Sequence, residues 1–370
     1  MSSIGRSTPG WLRTGAAMLG ILVGILVLSA CRPLQNSGTS TTGATVNLNG
    51  AGATFPFPLY SKWFEVYGQQ NPTVRINYQS IGSGGGIKQL QAGTVDFGAS
   101  DAPLSDEEMK AMPKPVVHLP MVAGAVALAY NLPNVPTGLK LSPEAVAGIF
   151  LGEITKWNDP QIASLNPGVN LPNIAVAVAH RSDGSGTTYI FTHYLAAISK
   201  SWSTKVGSGK SVNWPVGVGG KGNEGVAGVL TQTPGSIGYV ELAYATQNKL
   251  SYASIRNQAG QYIAPSIAST TAAAAGAVTA MKKDVRVSIV NATGKEAYPI
   301  SGFTYILLYK EQPDAAKGTA LVNFLRWAIH DGQQYAAPLV YAPLPAEVVT
   351  INDQTLAAIT HNGQPIQAAK

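Results

Sequence analysis

The residues of this 370-residue chain that are best suited to bind a ligand or take part in catalysis lie together at 181–187, Arg-Ser-Asp-Gly-Ser-Gly-Thr. The apolar, β-branched run at 174–179 before them is typical of a buried strand. After them, apolar residues recur at helical spacing from Ile190 to Ile198. The glycines therefore fall on a strand-to-helix turn, where unpaired backbone N–H groups and the positive end of a helix dipole face one point. With an arginine and several hydroxyls beside it, this turn could bind an anion.

Two enzyme motifs come close to this part of the chain, and neither is complete. The phosphate-binding loop of nucleoside triphosphatases needs G-x-x-x-x-G-K-[ST], but Thr204 occupies the position of the first glycine, five residues before Gly209. A hydrolase elbow needs G-x-S-x-G, but Asp183 replaces the first glycine before Ser185. An ordinary glycine turn ahead of a helix remains an open alternative for the stretch taken alone.

A secreted phosphatase is a further enzyme alternative, which would need a nucleophile with its base or a set of metal ligands. The five histidines of the chain show no metal-ligand spacing, the motif H-E-x-x-H is absent, and there is a single cysteine. We therefore expect no catalytic residue, no metal and no cofactor, and a protein that is not an enzyme.

Composition excludes one class of partner. Charged residues make up 12% of the chain and the formal charge is +6. Removal of two arginines with the leader described next would reduce this charge to +4. Such a weak excess, without any run of lysine or arginine, gives no electrostatic footprint for nucleic acid. A hydrophobic content of 45% is sufficient for a large core.

The start of the chain predicts export. Arg6 and Arg13 followed by a short apolar core predict that residues 1–30 are a secretory signal. The small residues before Cys31 resemble a bacterial lipoprotein box, in which the cysteine is lipidated and becomes the first mature residue. An uncleaved anchor with a chance cysteine is the alternative. The lipoprotein signal and the uncleaved anchor both place the body of the protein outside the cytoplasmic membrane. Residues 31–45, rich in Ser, Thr and Gly, predict a flexible tether.

The pattern of strand, glycine turn and helix occurs twice more near the start of the predicted body. Residues 46–48 predict a strand and residues 59–67 a helix, with Thr54 in the turn as either a helix cap or a ligand contact. Residues 74–78 predict a second strand, and the glycine cluster at 81–86 predicts its turn into a short helix. A flexible linker is the alternative for this cluster.

An acidic residue ends the next predicted strand. Asp101 follows residues 94–100 and should lie beside the crevice that the glycine turns line. An Asx turn before Pro103 is the alternative role for Asp101. Ser105 and Glu108, in contrast, fit a capping box and should be structural.

Apolar runs and helical patterns alternate along the rest of the chain. Predicted strands lie at 121–130, 236–240 and 303–309, and predicted helices at 142–150, 268–281, 315–330 and 345–360. This alternation predicts two α/β lobes with mostly parallel sheets. In such sheets ligands bind beyond the carboxyl ends of the strands, where the glycine turns fall.

Five segments together carry a resemblance to a known family. They are 50–56 (GAGATFP), 81–86 (IGSGGG), 95–101 (VDFGASD), 181–187 (RSDGSGT) and 214–225 (WPVGVGGKGNEG). In this order and spacing they resemble the phosphate-binding protein of the bacterial high-affinity phosphate ABC importer, over nearly all of the chain from about Val46.

The resemblance implies a fold and a function. The fold is α/β, a two-lobed periplasmic-binding-protein fold of type II with two chain crossovers at the hinge. Lobe I would comprise residues 46–122 and 300–370, and lobe II residues 123–299. The implied function is extracytoplasmic binding of inorganic phosphate between the lobes and its delivery to an ABC permease complex. We expect a monomer, held at the membrane by a lipid on Cys31.

The resemblance also implies a set of ligand contacts. Carried over position by position, they are Thr54, the Phe55 backbone N–H, Ser83, Asp101, Arg181, Ser185, the Gly186 backbone N–H and Thr187. Asp183 is expected to orient Arg181. Two neighbours depart from the family pattern, since Gly84 replaces a common second serine and His180 a frequent basic residue. Residues 219–225 are assigned to the start of a helix and to lobe packing.

Asp101 would decide selectivity. A carboxylate repels an anion unless the anion brings a proton to donate, which phosphate does near neutral pH and sulfate does not. A sulfate or molybdate receptor is the alternative from the same class of binding proteins, and Asp101 argues against it.

Overall fold

The computed structural model of the protein describes residues 45–367. The predicted leader, Cys31 and nearly all of the predicted tether lie outside the described residues. Within the described part, no helix is long and apolar enough to cross a membrane.

Strands and helices alternate along the described chain. The strands are β1 (Val46–Gly52), β2 (Val74–Ser80), β3 (Phe97–Ser100), β4 (Val116–Tyr130), β5 (Lys140–Leu141), β6 (Ala177–Arg181), β7 (Val218–Gly220), β8 (Ser236–Glu241), β9 (Ser251–Tyr252), β10 (Ser254–Arg256), β11 (Tyr262–Ile263), β12 (Ser301–Tyr309), β13 (Thr360–His361) and β14 (Gln364–Pro365). The helices are α1 (Phe57–Gln70), α2 (Ser83–Gln91), α3 (Asp106–Ala111), α4 (Pro143–Leu151), α5 (Pro160–Ala163), α6 (Gly186–Ile198), α7 (Lys200–Lys205), α8 (Gly222–Gln232), α9 (Leu242–Gln247), α10 (Ile267–Ala275), α11 (Val278–Met281), α12 (Ala315–Ile329) and α13 (Ala346–Ala357). Two 3₁₀ turns, Asp331–Tyr335 and Ala337–Leu339, follow α12.

The main sheet is mixed, with the strand order β2-β1-β3-β12-β4-β8-β6-β7 and β9 beside β4. The outer strands pair in parallel, as predicted: β1 with β2 and β3, and β6 with β7 and β8. The centre is antiparallel, because β12 pairs with both β3 and β4, and β4 pairs with β8. The prediction of mostly parallel sheets therefore holds for the flanks and not for the centre.

The long strand β4 joins the two halves of this sheet. Its first part, up to Ala125, pairs with β12, and from Val126 onward it pairs with β8. We call β1, β2, β3, β12 and the first part of β4 the first half-sheet, and β6, β7, β8 and the second part of β4 the second half-sheet. The chain crosses from the first to the second in β4 and returns in β12, which gives the two predicted crossovers and explains the antiparallel centre. The predicted lobe boundaries stay a prediction.

The two crossing strands are buried along almost their whole length. Every residue of β12 is buried, and so is all of β4 except Val117. A strand covered on both faces needs a near-continuous apolar run, which is what the sequence of β4 shows. The core therefore continues across the crossover and joins the two half-sheets.

Two local predictions are wrong at the ends of elements. Helix α2 begins at Ser83, so Gly84, Gly85 and Gly86 form its first turn and do not precede it. Close packing explains the glycines, because a Cβ on Gly86 would lie 2.5 Å from the Gly52 Cα. The predicted helix at 268–281 is divided into α10 and α11, with Gly276 between them.

The strand before the glycine turn at 184–186 also differs from its prediction. β6 begins at Ala177, three residues later than predicted, and continues through Arg181. Arg181 is therefore the last residue of a strand and does not lie in a loop. The sheet thus fixes the position of its backbone. The capping box of α3 is confirmed, with Ser105 and Glu108 each bonded to the backbone of the other.

Candidate anion-binding site

Strands β1, β2 and β3 of the first half-sheet and β6 of the second end at one place, and predicted ligand residues lie at or just after the end of each. Thr54 follows β1, Ser83 follows β2, Asp101 follows β3, and residues 181–187 begin at the end of β6. All the predicted polar side chains here are buried, namely Thr54, Ser83, Asp101, Arg181, Ser185 and Thr187. The structure thus brings the predicted site residues together, whereas their roles as phosphate contacts stay a prediction.

The Ser83 hydroxyl connects three of these segments. Its Oγ accepts hydrogen bonds from the Gly186 N–H (3.0 Å) and from the Asp101 N–H (3.3 Å). Gly186 begins α6, which follows β6 of the second half-sheet, and Ser83 begins α2, which follows β2 of the first. This contact therefore links the two half-sheets. The Gly186 N–H, which was predicted to face the ligand, donates to Ser83 in this structure.

The Thr54 hydroxyl does not cap a helix. The N-cap position of α1 is Pro56, which has no side-chain hydrogen bond, so the cap alternative for Thr54 is wrong. Its Oγ1 instead accepts hydrogen bonds from the Asn223 side-chain Nδ2 (2.7 Å) and from the Asn223 backbone N–H (3.1 Å). The Thr54 carbonyl accepts a further bond from the Tyr244 hydroxyl (2.6 Å).

The two hydroxyls on the turn before α6 have different partners. Ser185 is the N-cap of α6, and its Oγ accepts the Thr188 N–H at 3.0 Å. The Thr187 Oγ1 accepts from Arg181 Nη1 at 3.3 Å and from Asn223 Nδ2 at 3.1 Å. Four hydroxyls of the site therefore act as acceptors of N–H groups, which leaves each hydroxyl proton free for another acceptor.

Arg181 is held by a carboxylate. Its Nε donates to Asp183 Oδ1 at 2.8 Å and its Nη2 to Asp183 Oδ2 at 2.5 Å, a two-point contact that fixes the plane of the guanidinium. The Gly222 N–H also donates to Asp183 Oδ1, at 3.1 Å. Burial alone would raise the pKa of Asp183, but the hydrogen bonds and charge of Arg181 lower it overall. Asp183 is therefore ionised across the physiological pH range.

Asp101 is the one acidic side chain among the predicted contacts. It is 3% exposed, and its Oδ1 accepts no hydrogen bond from the described residues. Burial raises the pKa of Asp101 to about 7, and the neighbouring Thr304 hydroxyl and the Arg181 charge offset only part of this effect. The turn after β3 is bridged by Ser100, whose Oγ accepts the Ala102 N–H at 3.2 Å. Asp101 thus presents an unpaired acceptor inside a cluster of donors.

Gly84, in the first turn of α2, and Gly184, in the turn before α6, are in direct backbone contact beside the site. The Gly84 N–H donates to the Gly184 carbonyl at 2.8 Å. Beside them Gly82 has a φ of 84°, and a Cβ on it would lie 2.2 Å from Asp183 Oδ2. Only glycine meets both demands, because it tolerates positive φ and leaves room for the carboxylate.

Asn223 is the residue of this site that the sequence reasoning missed. The structure confirms that residues 219–225 lead into a helix, α8, but it also buries Asn223 completely between Thr54 and Thr187. A signal was present in the sequence. Asn223 lies in the first helical turn after β7, as Ser83 does after β2 and Thr187 after β6.

Comparisons with known proteins agree with this geometry. A family model described as a PBP superfamily domain matches residues 38–331. The phosphate-binding protein PstS of Xylella fastidiosa (strain 9a5c) is 46% identical over 339 residues, which cover 88% of this chain and 92% of that protein. The phosphate-binding protein PstS of Haemophilus influenzae is 48% identical over 321 residues, covering 86% of this chain and 95% of its own. The chain belongs to the PstS family within the PBP superfamily.

A solved structure supports the fold of this PstS family member. A phosphate-binding protein from Stenotrophomonas maltophilia superposes with a TM-score of 0.67 at 19% identity, over 86% of this chain and 97% of that one. The two-lobed α/β binding-protein fold implied by the sequence resemblance is therefore confirmed. Among residues 45–367 the structure contains no group of three or more His, Cys, Asp or Glu that could hold a metal ion.

Proposed function

We propose that this protein binds inorganic phosphate outside the cytoplasmic membrane and delivers it to an ABC importer. The observation that carries the proposal is the buried cluster in which four hydroxyls and Arg181 offer protons while a single carboxylate, Asp101, offers an unpaired acceptor. Membership of the PstS family supports the same ligand.

The hydrogen-bond donors of the site are numerous enough to offset the free-energy cost of removing phosphate from water. A dehydrated anion needs many hydrogen bonds in return, and charge-assisted bonds contribute about 1.5 to 3 kcal/mol each. The predicted donors are the hydroxyls of Thr54, Ser83, Ser185 and Thr187, the guanidinium of Arg181, and the backbone N–H groups of Phe55 and Gly186. Neutral donors can thus stabilise most of the ligand charge, with Arg181 as the one cation.

Asp101 supplies the selectivity. Above about pH 7, where Asp101 is ionised, phosphate still retains a proton that can be donated to Asp101 Oδ1, whereas sulfate has none and would face a bare carboxylate. An unpaired buried acceptor costs about 1 to 3 kcal/mol, and more for a charged group. Phosphate should therefore bind at least tenfold more tightly than sulfate. Arsenate, which also carries a proton, should bind well.

Calorimetric titration of the full-length chain in detergent with phosphate, arsenate and sulfate tests this function. Phosphate should bind in a one-to-one ratio and sulfate much more weakly. Asp101→Asn should bring the two affinities closer together, whereas the matched surface variant Asp353→Asn should leave their ratio unchanged. Equal affinity of the unaltered protein for phosphate and sulfate would contradict the proposal, and tighter sulfate binding would favour a sulfate receptor.

The absence of catalysis is part of the proposal. The relatives are named as binding proteins, which supports this part of the proposal. A chromogenic phosphate ester should show no turnover above the Arg181→Ala background. Measurable hydrolysis that this substitution removes would instead indicate a phosphatase.

The remaining proposals concern the place of the protein in the cell. We propose a monomer anchored by a lipid on Cys31, with the body reaching a phosphate permease from the outer side of the membrane. Cys31→Ser should abolish incorporation of labelled fatty acid and release the chain from the membrane fraction. Sedimentation of the detergent-solubilised chain should give a single monomeric species with and without phosphate.

A further inference from the structure

Asn223 joins three separate segments of the site. It is 0% exposed and lies in the first turn of α8. Its Nδ2 donates to the Thr54 Oγ1 at 2.7 Å and to the Thr187 Oγ1 at 3.1 Å, and its Oδ1 accepts the Glu241 N–H at 2.9 Å. Every polar atom of the side chain therefore has a partner.

The orientation of this amide is fixed. The Glu241 N–H can only donate, so the atom of Asn223 that faces it must be the oxygen. The nitrogen and both of its protons then point to the two threonines, because a reversed amide would place an N–H against the Glu241 N–H. Asn223 is thus a donor to both hydroxyls and cannot accept from either.

The count of lone pairs then decides what the threonines can do. A hydroxyl has two acceptor positions and one proton. On Thr54 both acceptor positions are filled, by the Nδ2 and the backbone N–H of Asn223. On Thr187 both are filled as well, by Asn223 Nδ2 and Arg181 Nη1. Each threonine is left with its proton alone, and that proton can only be donated.

We propose that Asn223 is a positioning residue that commits the hydroxyl protons of Thr54 and Thr187 to the bound anion. The inference rests on the proposed function, since it concerns how the same site holds phosphate. Without Asn223, each hydroxyl could rotate and donate its proton to a neighbouring acceptor when no anion is present. With Asn223 the two donors are already oriented, so less free energy is lost in ordering them on binding.

A thermodynamic cycle distinguishes this role from simple packing. The variants are Asn223→Leu, which keeps the branched shape of the side chain but has no hydrogen-bond donor, the pair Thr54→Val with Thr187→Val, and the combination of all three. In the unaltered protein Asn223→Leu should weaken phosphate binding by roughly tenfold, the effect of about one hydrogen bond to a charged group. In the double-valine background the same change should cost less than about twofold, because no hydroxyl remains to be oriented.

A packing role gives a different result. If Asn223 only fills space between α8 and its neighbours, Asn223→Leu should weaken phosphate binding by the same factor in both backgrounds, and that additivity would overturn the inference. If Asn223→Leu fails to fold, Asn223→Ser serves in the same cycle with the same two outcomes. Circular dichroism melts confirm that each variant is folded.

The matched control is Asn352, another completely buried asparagine, whose Nδ2 donates to the Pro120 carbonyl at 2.6 Å. Asn352→Leu should lower the melting temperature and leave the phosphate affinity unchanged. If the unaltered chain binds no phosphate, the proposed function fails and this role with it. If the unaltered chain and the Asn352 variant bind normally while the Asn223 cycle is additive, only the role of Asn223 is refuted.

Discussion

The buried carboxylate of Asp101 should make the ligand-free protein less stable than it could be. Its pKa is raised by burial from 3.8 to about 7. Between these two values the unfolded chain has released a proton that the folded chain retains, so the free energy of unfolding falls as the pH rises through this window. Above pH 7 the carboxylate is charged in both states, and the full cost of burying it is present.

The size of this cost follows from the shift. Each pKa unit corresponds to about 1.4 kcal/mol, so a rise from 3.8 to about 7 corresponds to about 4 kcal/mol. Asp101→Asn keeps the shape and removes the titration. Without ligand at pH 8, the variant should therefore unfold with a free energy higher than that of the unaltered protein by up to about 4 kcal/mol, or roughly 5 to 10 °C in melting temperature.

The assay is thermal unfolding of the full-length chain, freed of phosphate, at a series of pH values from 4 to 8. The two proteins should melt together near pH 4 and separate progressively up to about pH 7. Saturating phosphate should reverse the order, because a tightly bound ligand stabilises the unaltered protein more. A difference that does not change with pH would refute the reasoning, and Asp353→Asn should show no gain at any pH.

Two further predictions concern charges around the site. Arg181→Ala should weaken phosphate binding by at least about a hundredfold in calorimetry, since it removes the one cation and leaves Asp183 unpaired, and near-normal affinity in the folded variant would place the binding site elsewhere. Glu108→Gln removes the partly exposed ion pair at 2.6 Å between Lys210 and Glu108. The Lys210 carbonyl accepts the Ser185 N–H at 2.8 Å, so loosening Lys210 should weaken phosphate binding, but only about two- to fivefold at low ionic strength. That difference should disappear above roughly 0.5 M salt, and a loss that persists there would contradict a screened electrostatic origin.

Much of the fold followed from the sequence because its signals are local. Strand periodicity and the capping box at Ser105 each report on a few neighbouring residues, and the corresponding elements are confirmed. The convergence of the strand ends could be predicted for a similar reason. Within each half-sheet, the parallel strands place their carboxyl ends at one edge, whichever residues follow them.

The errors arise where distant packing overrides a local preference. Three successive glycines from Gly84 favour a turn by propensity, yet they form part of α2 because its backbone packs against the Gly52 Cα at the end of β1. Asn223 was assigned to packing because an asparagine in a glycine-rich helix start has many possible roles. Only the structure shows that the turns after β1 and β6 both bring a threonine to its side chain.

The backbone contact between Gly84 and Gly184 should affect how fast a bound ion is released without affecting which ion is bound. A methyl group on Gly84 would lie 3.2 Å from the Gly184 Cα, so an alanine there would push the first turn of α2 and the turn before α6 apart by a few tenths of an ångström. Neither glycine contributes a side chain to the choice of ion. The width of this seam should therefore set how long a captured ion stays, and residue 84 offers a way to adjust the release rate of an engineered sensor while its preference among ions is kept.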